Sequence, residues 1–168
     1  MTLIGDKSRF AIEYELDPNP AGGWLNGSIK LWIGGRAVGE APSTELRSLR
    51  DYIIRFERIV SGEGRRSNAA LFVEPSERAV RLLDDALFTG DDPVLEEKAT
   101  DEQWGLLLME LGFPAGHVYA IEAGDEVRLL VSESGVASGE IRLPKREVYD
   151  LLTEARDQLE TLRARYAS

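Results

Sequence analysis

Two stretches of this chain, 10–38 and 117–143, read as strands separated by glycine turns, the first with apolar and polar side chains in alternation, and each is followed by apolar residues at helical spacing. That order admits few folds. In the first stretch Phe10, Ile12, Tyr14 and Leu16 fall on every second position with Glu13 and Glu15 between them, the period of a half-buried strand. The loop Asp17-Pro18-Asn19-Pro20-Ala21-Gly22-Gly23 breaks regular structure, and a second alternating run begins at Trp24. Leu25, Ile29, Leu31 and Ile33 share one side of it; Trp24, Asn26, Ser28, Lys30 and Trp32 share the other. Gly34-Gly35 suits the positive φ angles of a two-residue hairpin turn before Arg36-Ala37-Val38, so the chain opens as a three-stranded antiparallel meander.

Leu46, Leu49, Ile53, Phe56 and Val60 then recur every three or four residues and predict a helix covering one side of the meander. Ala69–Val73 reads as a short strand. Pro75–Phe88 has Ala79, Leu82, Leu83 and Ala86 at helical spacing after a proline suited to a first turn. Thr100-Asp101-Glu102-Gln103 fits a capping box and predicts a helix over Trp104–Leu111. His117–Ala123 and Glu126–Val131 read as strands joined by Gly124-Asp125, with Val136–Leu143 continuing the meander. Pro144 opens the longest helix, whose stripe is Val148, Leu151, Leu152, Ala155, Leu159, Leu162 and Tyr166. The expectation is an α+β fold: two antiparallel β-meanders each followed by a helix, additional helices in the middle and a long C-terminal helix, forming a single domain over residues 1–168.

Charge is distributed unevenly along this pattern. Residues 84 to 110 hold Asp84, Asp85, Asp91, Asp92, Glu96, Glu97, Asp101, Glu102 and Glu110 against one base, Lys98, while the rest of the chain has 21 acids and 19 bases. A concentrated negative field speeds association with a basic partner and repels nucleic acid and anionic membrane. Asp84, Asp85, Asp91, Asp92, Glu96, Glu97, Asp101 and Glu102 are therefore candidate partner-binding residues. A solvated surface serving only solubility explains them as well, and Asp101 and Glu102 also complement the dipole of the predicted helix. Trp24 and Trp32 are the other candidates. They are core if a helix covers their side of the strand and interface anchors if it does not.

The apparatus of catalysis is sparse. Histidine, the commonest acid and base, occurs once, at His117, and no Gly-x-Ser-x-Gly elbow is present. Gly62-Glu63-Gly64-Arg65-Arg66 follows a helix and lacks phosphate-loop spacing, and Asp91-Asp92-Pro93 lacks the alternating ligands of a calcium loop. No catalytic residue, cofactor or metal is expected. Two carboxylates far apart in sequence would suffice for a glycosidase-like enzyme, and that alternative stays open. Without cysteine there is no disulfide or thiolate site. Asp6, Lys7 and Arg9 interrupt the first ten residues where a secretory signal needs an apolar run, and no stretch approaches the ~20 apolar residues of a membrane span. The expectation is a soluble, cytoplasmic protein that does not bind nucleic acid or membrane. Arg55, Arg58, Arg65 and Arg66 compete with a net charge of -10 and read as a solvated face or as internal partners for acids.

Ile4-Gly5-Asp6, the strand Arg9–Leu16, Gly22-Gly23-Trp24-Leu25-Asn26-Gly27, and Leu31-Trp32-Ile33-Gly34-Gly35 with Val38-Gly39 resemble the bacterial immunity protein 42 family of polymorphic toxin systems. The resemblance covers about the first 40 residues. Its marks are structural glycines and aromatics, and no functional residue carries over from it. It implies an immunity protein that binds a cognate bacterial toxin domain and blocks it, a partner whose basic substrate cleft an acidic patch would fill in place of phosphate. A chaperone or adaptor for a secreted effector is the alternative binding role.

Overall fold

In the computed structural model, residues 1–20, 22–39, 47–86, 105–107 and 116–167 are described, and they divide into two compact units, Met1–Ser61 with Val148–Ser168 and Gly62–Glu147. The architecture is α+β, as two strand-rich stretches each followed by a helix predict.

In the first unit the strands β1 (Thr2–Gly5), β2 (Phe10–Leu16), β3 (Asn26–Ile33) and β4 (Arg36–Val38) lie antiparallel in that order, and β5 (Arg47–Ser48) pairs with the start of β3. Phe10 faces Ile33, Ile12 faces Leu31 and Tyr14 faces Ile29, so the apolar halves of both runs share one side. Glu13 faces Lys30 and Ala11 faces Trp32 on the other. Helix α1 (Leu49–Ser61) buries Leu49, Ile53, Phe56 and Ile59. Ile59 is buried where the predicted stripe placed Val60, which is only half-buried, and Leu46 lies outside the described residues.

Gly27 permits the contact between α1 and the sheet. A Cβ there would come within 2.2 Å of the Glu15 carbonyl oxygen and 3.1 Å of Leu49 Cδ1. Gly27→Ala is accordingly expected to cost about 1–3 kcal/mol of stability, measured by urea denaturation, because a backbone carbonyl cannot move aside as a side chain can.

The second unit holds α2 (Ala69–Val73), α3 (Ser76–Asp84) and the antiparallel sheet β6 (Gly105–Leu107), β7 (Gly116–Ala123), β8 (Glu126–Glu133) and β9 (Val136–Pro144). Its helices pack Leu71, Phe72, Ala79, Val80, Leu83 and Ala86 against Tyr119, Ile121 and Leu130. The final helix, α4 (Lys145–Tyr166), belongs to the first unit from Val148 onward. It buries Val148, Leu152, Ala155 and Leu159 of the predicted stripe, whereas Tyr166 is exposed.

Three local readings need correction. Ala69–Val73 is a helical turn, not a strand: Asn68 caps it, its side-chain oxygen accepting from Leu71 N at 3.0 Å. Gly105–Leu107, inside the predicted helix over Trp104–Leu111, is a strand paired with β7. A short leucine run satisfies either period, and the edge of β7 decides it. Thr2–Gly5 adds a fourth strand ahead of the predicted three-stranded meander. The capping box at Thr100–Gln103 lies outside the described residues.

Candidate partner-binding surface

The acidic candidates enter the described structure at the end of α3. Asp84 sits beside the sheet it packs on, where the Tyr119 hydroxyl donates to Oδ1 and the Ser132 hydroxyl donates to Oδ2 at 3.2 Å. Its charge is engaged within its own unit. Asp85 is half-buried at the end of the same helix. Asp91, Asp92, Glu96, Glu97, Asp101 and Glu102 lie outside the described residues.

The direction of α3 is fixed by a network that the sequence did not announce. Arg128 is buried on the side of the second sheet facing the helices, and its guanidinium donates to the carbonyl oxygens of Leu71, Phe72 and Glu74 at 3.3, 3.0 and 2.7 Å. The same group forms a two-pronged ion pair with Glu140, 2.9 and 3.0 Å, and meets Ser76 Oγ at 3.2 Å. Burial alone would raise the Glu140 carboxyl, but hydrogen bonds from Arg128, Ser76 and Arg142 outweigh it and hold the group below its usual range. Arg66 is buried as well, 3.9 Å from the buried Glu122, so that arginine serves as an internal partner for an acid.

The tryptophans belong to the first unit and have different surroundings. Trp24 ends a 3₁₀ turn, Gly22–Trp24, and is 57% exposed, with the Arg50 guanidinium 5.0 Å from its ring centre. It is not core. Trp32 is half-buried on the polar side of β3 and donates its indole N–H to Glu13 at 3.2 Å. Lys7 and Lys30 lie 4.3 and 5.7 Å from the Trp32 ring centre, and both pair with Glu13, Lys30 at 2.9 Å.

Glu13 alternates with apolar neighbours as a solvent-facing strand residue would, yet only 4% of its side chain is exposed. Its cover is shallow, a layer of lysine and tryptophan side chains rather than depth of protein. Hydrogen bonds from Lys7 and then Lys30 pull its carboxyl down to about 2 from an ordinary 4.5. Because the folded value is depressed, the stability it contributes is present above about pH 4.5 and is lost as the pH falls toward 2. Glu13→Gln should flatten that acid limb and cost about 1–2 kcal/mol at neutral pH, less than the displacement alone implies because water screens a group so near the surface. Urea melts at pH 7 and pH 3 measure both effects.

His117 lies in β7, its ring 6.0 Å from that of Tyr119, and among the described residues no cluster of three His, Asp or Glu side chains could hold a metal. A cavity of about 400 Å³ in the first unit is lined by Met1, Thr2, Tyr14, Glu15, Leu16, Gln158, Thr161 and Leu162. Its Tyr14 hydroxyl is bound to Gln158 Oε1 at 3.0 Å. Among the described residues no helix is long and apolar enough to cross a membrane. What the described surface offers is contact chemistry: exposed indole, cations held against aromatic rings, and carboxylates.

Sequence reasoning reached Trp24, Trp32 and Asp84 but missed Arg50, Lys7 and Glu13. The Glu13–Lys30 pairing could have been read from strand register, since two oppositely charged residues in facing alternating runs are cross-strand partners. The meeting of Trp24 with Arg50 has no local signal.

Comparison with known proteins agrees along nearly the whole chain. The family model for immunity protein 42 matches residues 1–158. The crystal structure of CdiI from Burkholderia dolosa AUO158 is similar to this chain with a TM-score of 0.74 at 20% sequence identity, over 94% of this chain and 99% of that one, a likeness of fold. No curated protein matches.

Proposed function

The chain belongs to the immunity protein 42 family, and on that basis we propose that it binds a cognate bacterial toxin domain in the cytoplasm and neutralises it by occupancy, with no chemical turnover of its own. The family match over residues 1–158 carries this reading. The fold shared with CdiI adds support at the level of architecture, and the exposed Trp24 beside Arg50 supplies contact chemistry.

The acidic stretch is the finer part of the proposal. Residues 84 to 110 present nine acids and one base, a field that accelerates encounter with a basic toxin. Asp91, Asp92, Glu96, Glu97, Asp101 and Glu102 are its contact candidates, because Asp84 is engaged by Tyr119 and Ser132 within its own unit. Tyr119 and Ser132 thereby tie down the point from which the stretch departs.

Co-expression with candidate toxin domains tests the role. Growth should stop with the toxin alone and resume when the chain is present. If the chain only raised toxin solubility and left growth arrested, it would be a chaperone and not an antidote.

A further inference from the structure

Trp24 is exposed by construction. The residue after it, Leu25, is fully buried and has a φ of +54°. A leucine in the left-handed region costs roughly 1–2 kcal/mol and persists only where its surroundings over-determine it. Those surroundings are four hydrogen bonds. Leu25 N donates to Gly22 O at 3.2 Å, Asn26 N to Pro20 O at 2.8 Å, and Leu49 N to Leu25 O at 3.0 Å. Ser48 Oγ donates to Trp24 O at 2.9 Å. The turn sends leucine into the core and holds the larger apolar side chain outside. An indole fixed before binding loses little freedom on binding, which is why rigid aromatics dominate the energetic centres of interfaces.

The charge beside it defines the partner. Arg50 lies over the Trp24 ring, and a guanidinium held to a ring through its charge keeps its N–H fork for a carboxylate. At the far end of β3, on the order of 25 Å away at the rise of a strand, Trp32 repeats the arrangement with Lys7 and Lys30, while the counter-charge Glu13 is covered beneath them. Leu3, opposite Glu13 on the same side of the sheet, is 46% exposed. Lys7 and Lys30 are balanced there by Glu13 and by Glu15, which is exposed two residues along the same side of β2, so the charge that bears on the exposed indole is that of Arg50.

We propose that Trp24, braced by Arg50, is the anchor that enters an apolar slot with a carboxylate rim on the cognate toxin. The proposal rests on the immunity reading and assigns it a second contact, opposite in sign to the acidic stretch. Arg50 beside the anchor disfavours a partner that is basic at that point, because such a surface would meet the guanidinium with like charge.

The test measures affinity of the full chain for the toxin domain that it neutralises in co-expression, purified as a catalytically inactive variant. Trp24→Ala should weaken binding about 30-fold or more, the loss typical of a central tryptophan, with circular dichroism and Tm unchanged. Arg50→Glu places an acid in the first turn of α1, where the helix dipole favours it, so the fold is retained. It should weaken binding about tenfold and reduce the salt dependence. The second variant carries the test if the first fails to fold. Binding by Trp24→Ala within threefold of the original would overturn the anchor, and tighter binding by Arg50→Glu would overturn the acidic rim. If the original chain neither bound nor neutralised any candidate toxin domain, the immunity reading itself would fall, and the anchor with it.

Discussion

Arg128→Leu is expected to lose about 3–5 kcal/mol of folding stability, which for a chain of this size lowers Tm by roughly 10 °C. The variant leaves the carbonyls of Leu71, Phe72 and Glu74 without their shared donor and Glu140 without its two-pronged partner. The Leu71 carbonyl keeps the Glu74 N–H and Glu140 keeps Ser76 and Arg142, but the Phe72 and Glu74 carbonyls lose the guanidinium in a covered site, and leucine supplies none of its six hydrogen bonds. Arg128→Lys should recover only part of the loss, since one ammonium cannot span three carbonyls and a carboxylate. Glu140→Gln should be milder, because Glu140 sits at the rim of the network, its side chain 29% exposed. Thermal melts of the three variants give the order directly. A loss below about 1 kcal/mol for Arg128→Leu would mean that water replaces the guanidinium and that the α2–α3 turn is held by its apolar contacts alone.

The second large effect is kinetic. Reversing Asp91, Asp92, Glu96 and Glu97 to lysine should slow association with the toxin about 100-fold at low salt, within the range that electrostatic steering spans. The difference from the original chain should shrink as salt is added, because exposed charges are screened beyond roughly 8 Å at physiological ionic strength. Tm should stay within a few degrees, as these side chains are assigned to encounter. Stopped-flow mixing at two salt concentrations separates this from a loss of affinity through faster dissociation. An unchanged association rate would remove the acidic stretch from the mechanism while leaving the Trp24 contact to be judged on its own.

The first sheet was legible because its polar side alternates, and the second because apolar runs lie on either side of a glycine turn. Glu13 and Glu15 between Phe10, Ile12, Tyr14 and Leu16, and Ser28 and Lys30 between Ile29 and Leu31, gave the period of two without ambiguity. The glycine pairs and Gly124-Asp125 then placed the turns, and Val148 to Leu159 gave α4 from spacing alone. Legibility failed where segments were too short to show a period. Ala69–Val73 has five residues, and its helical turn is set by the Asn68 cap; Gly105–Leu107 has three, and its pairing with β7 is a tertiary decision. Thr2–Gly5 has only Leu3 and Ile4 to alternate and becomes a strand because β2 offers it an edge.

The candidate site was legible in kind and not in detail. Composition singled out an acidic stretch, and of its acids Asp84 turned out to be held by Tyr119 and Ser132, residues 35 and 48 positions away. Pattern placed Trp24 and Lys30 on the polar side of β3, but neither the strained Leu25 that presents Trp24 nor the Arg50 that braces it is visible locally. Glu13 misled most: its position in the alternation reads as wet, and only the folding of Lys7, Lys30 and Trp32 over it makes it covered and ionised to about pH 2.

The account stands on occupancy without turnover, and a titration tests it most directly. Purified toxin at a fixed concentration well above the dissociation constant, assayed against increasing amounts of the full chain, should lose activity linearly and reach zero at one chain per toxin, with the toxin recovered unmodified from the complex. Full toxin activity at saturating chain, or inactivation of many toxin molecules by one chain, would contradict it.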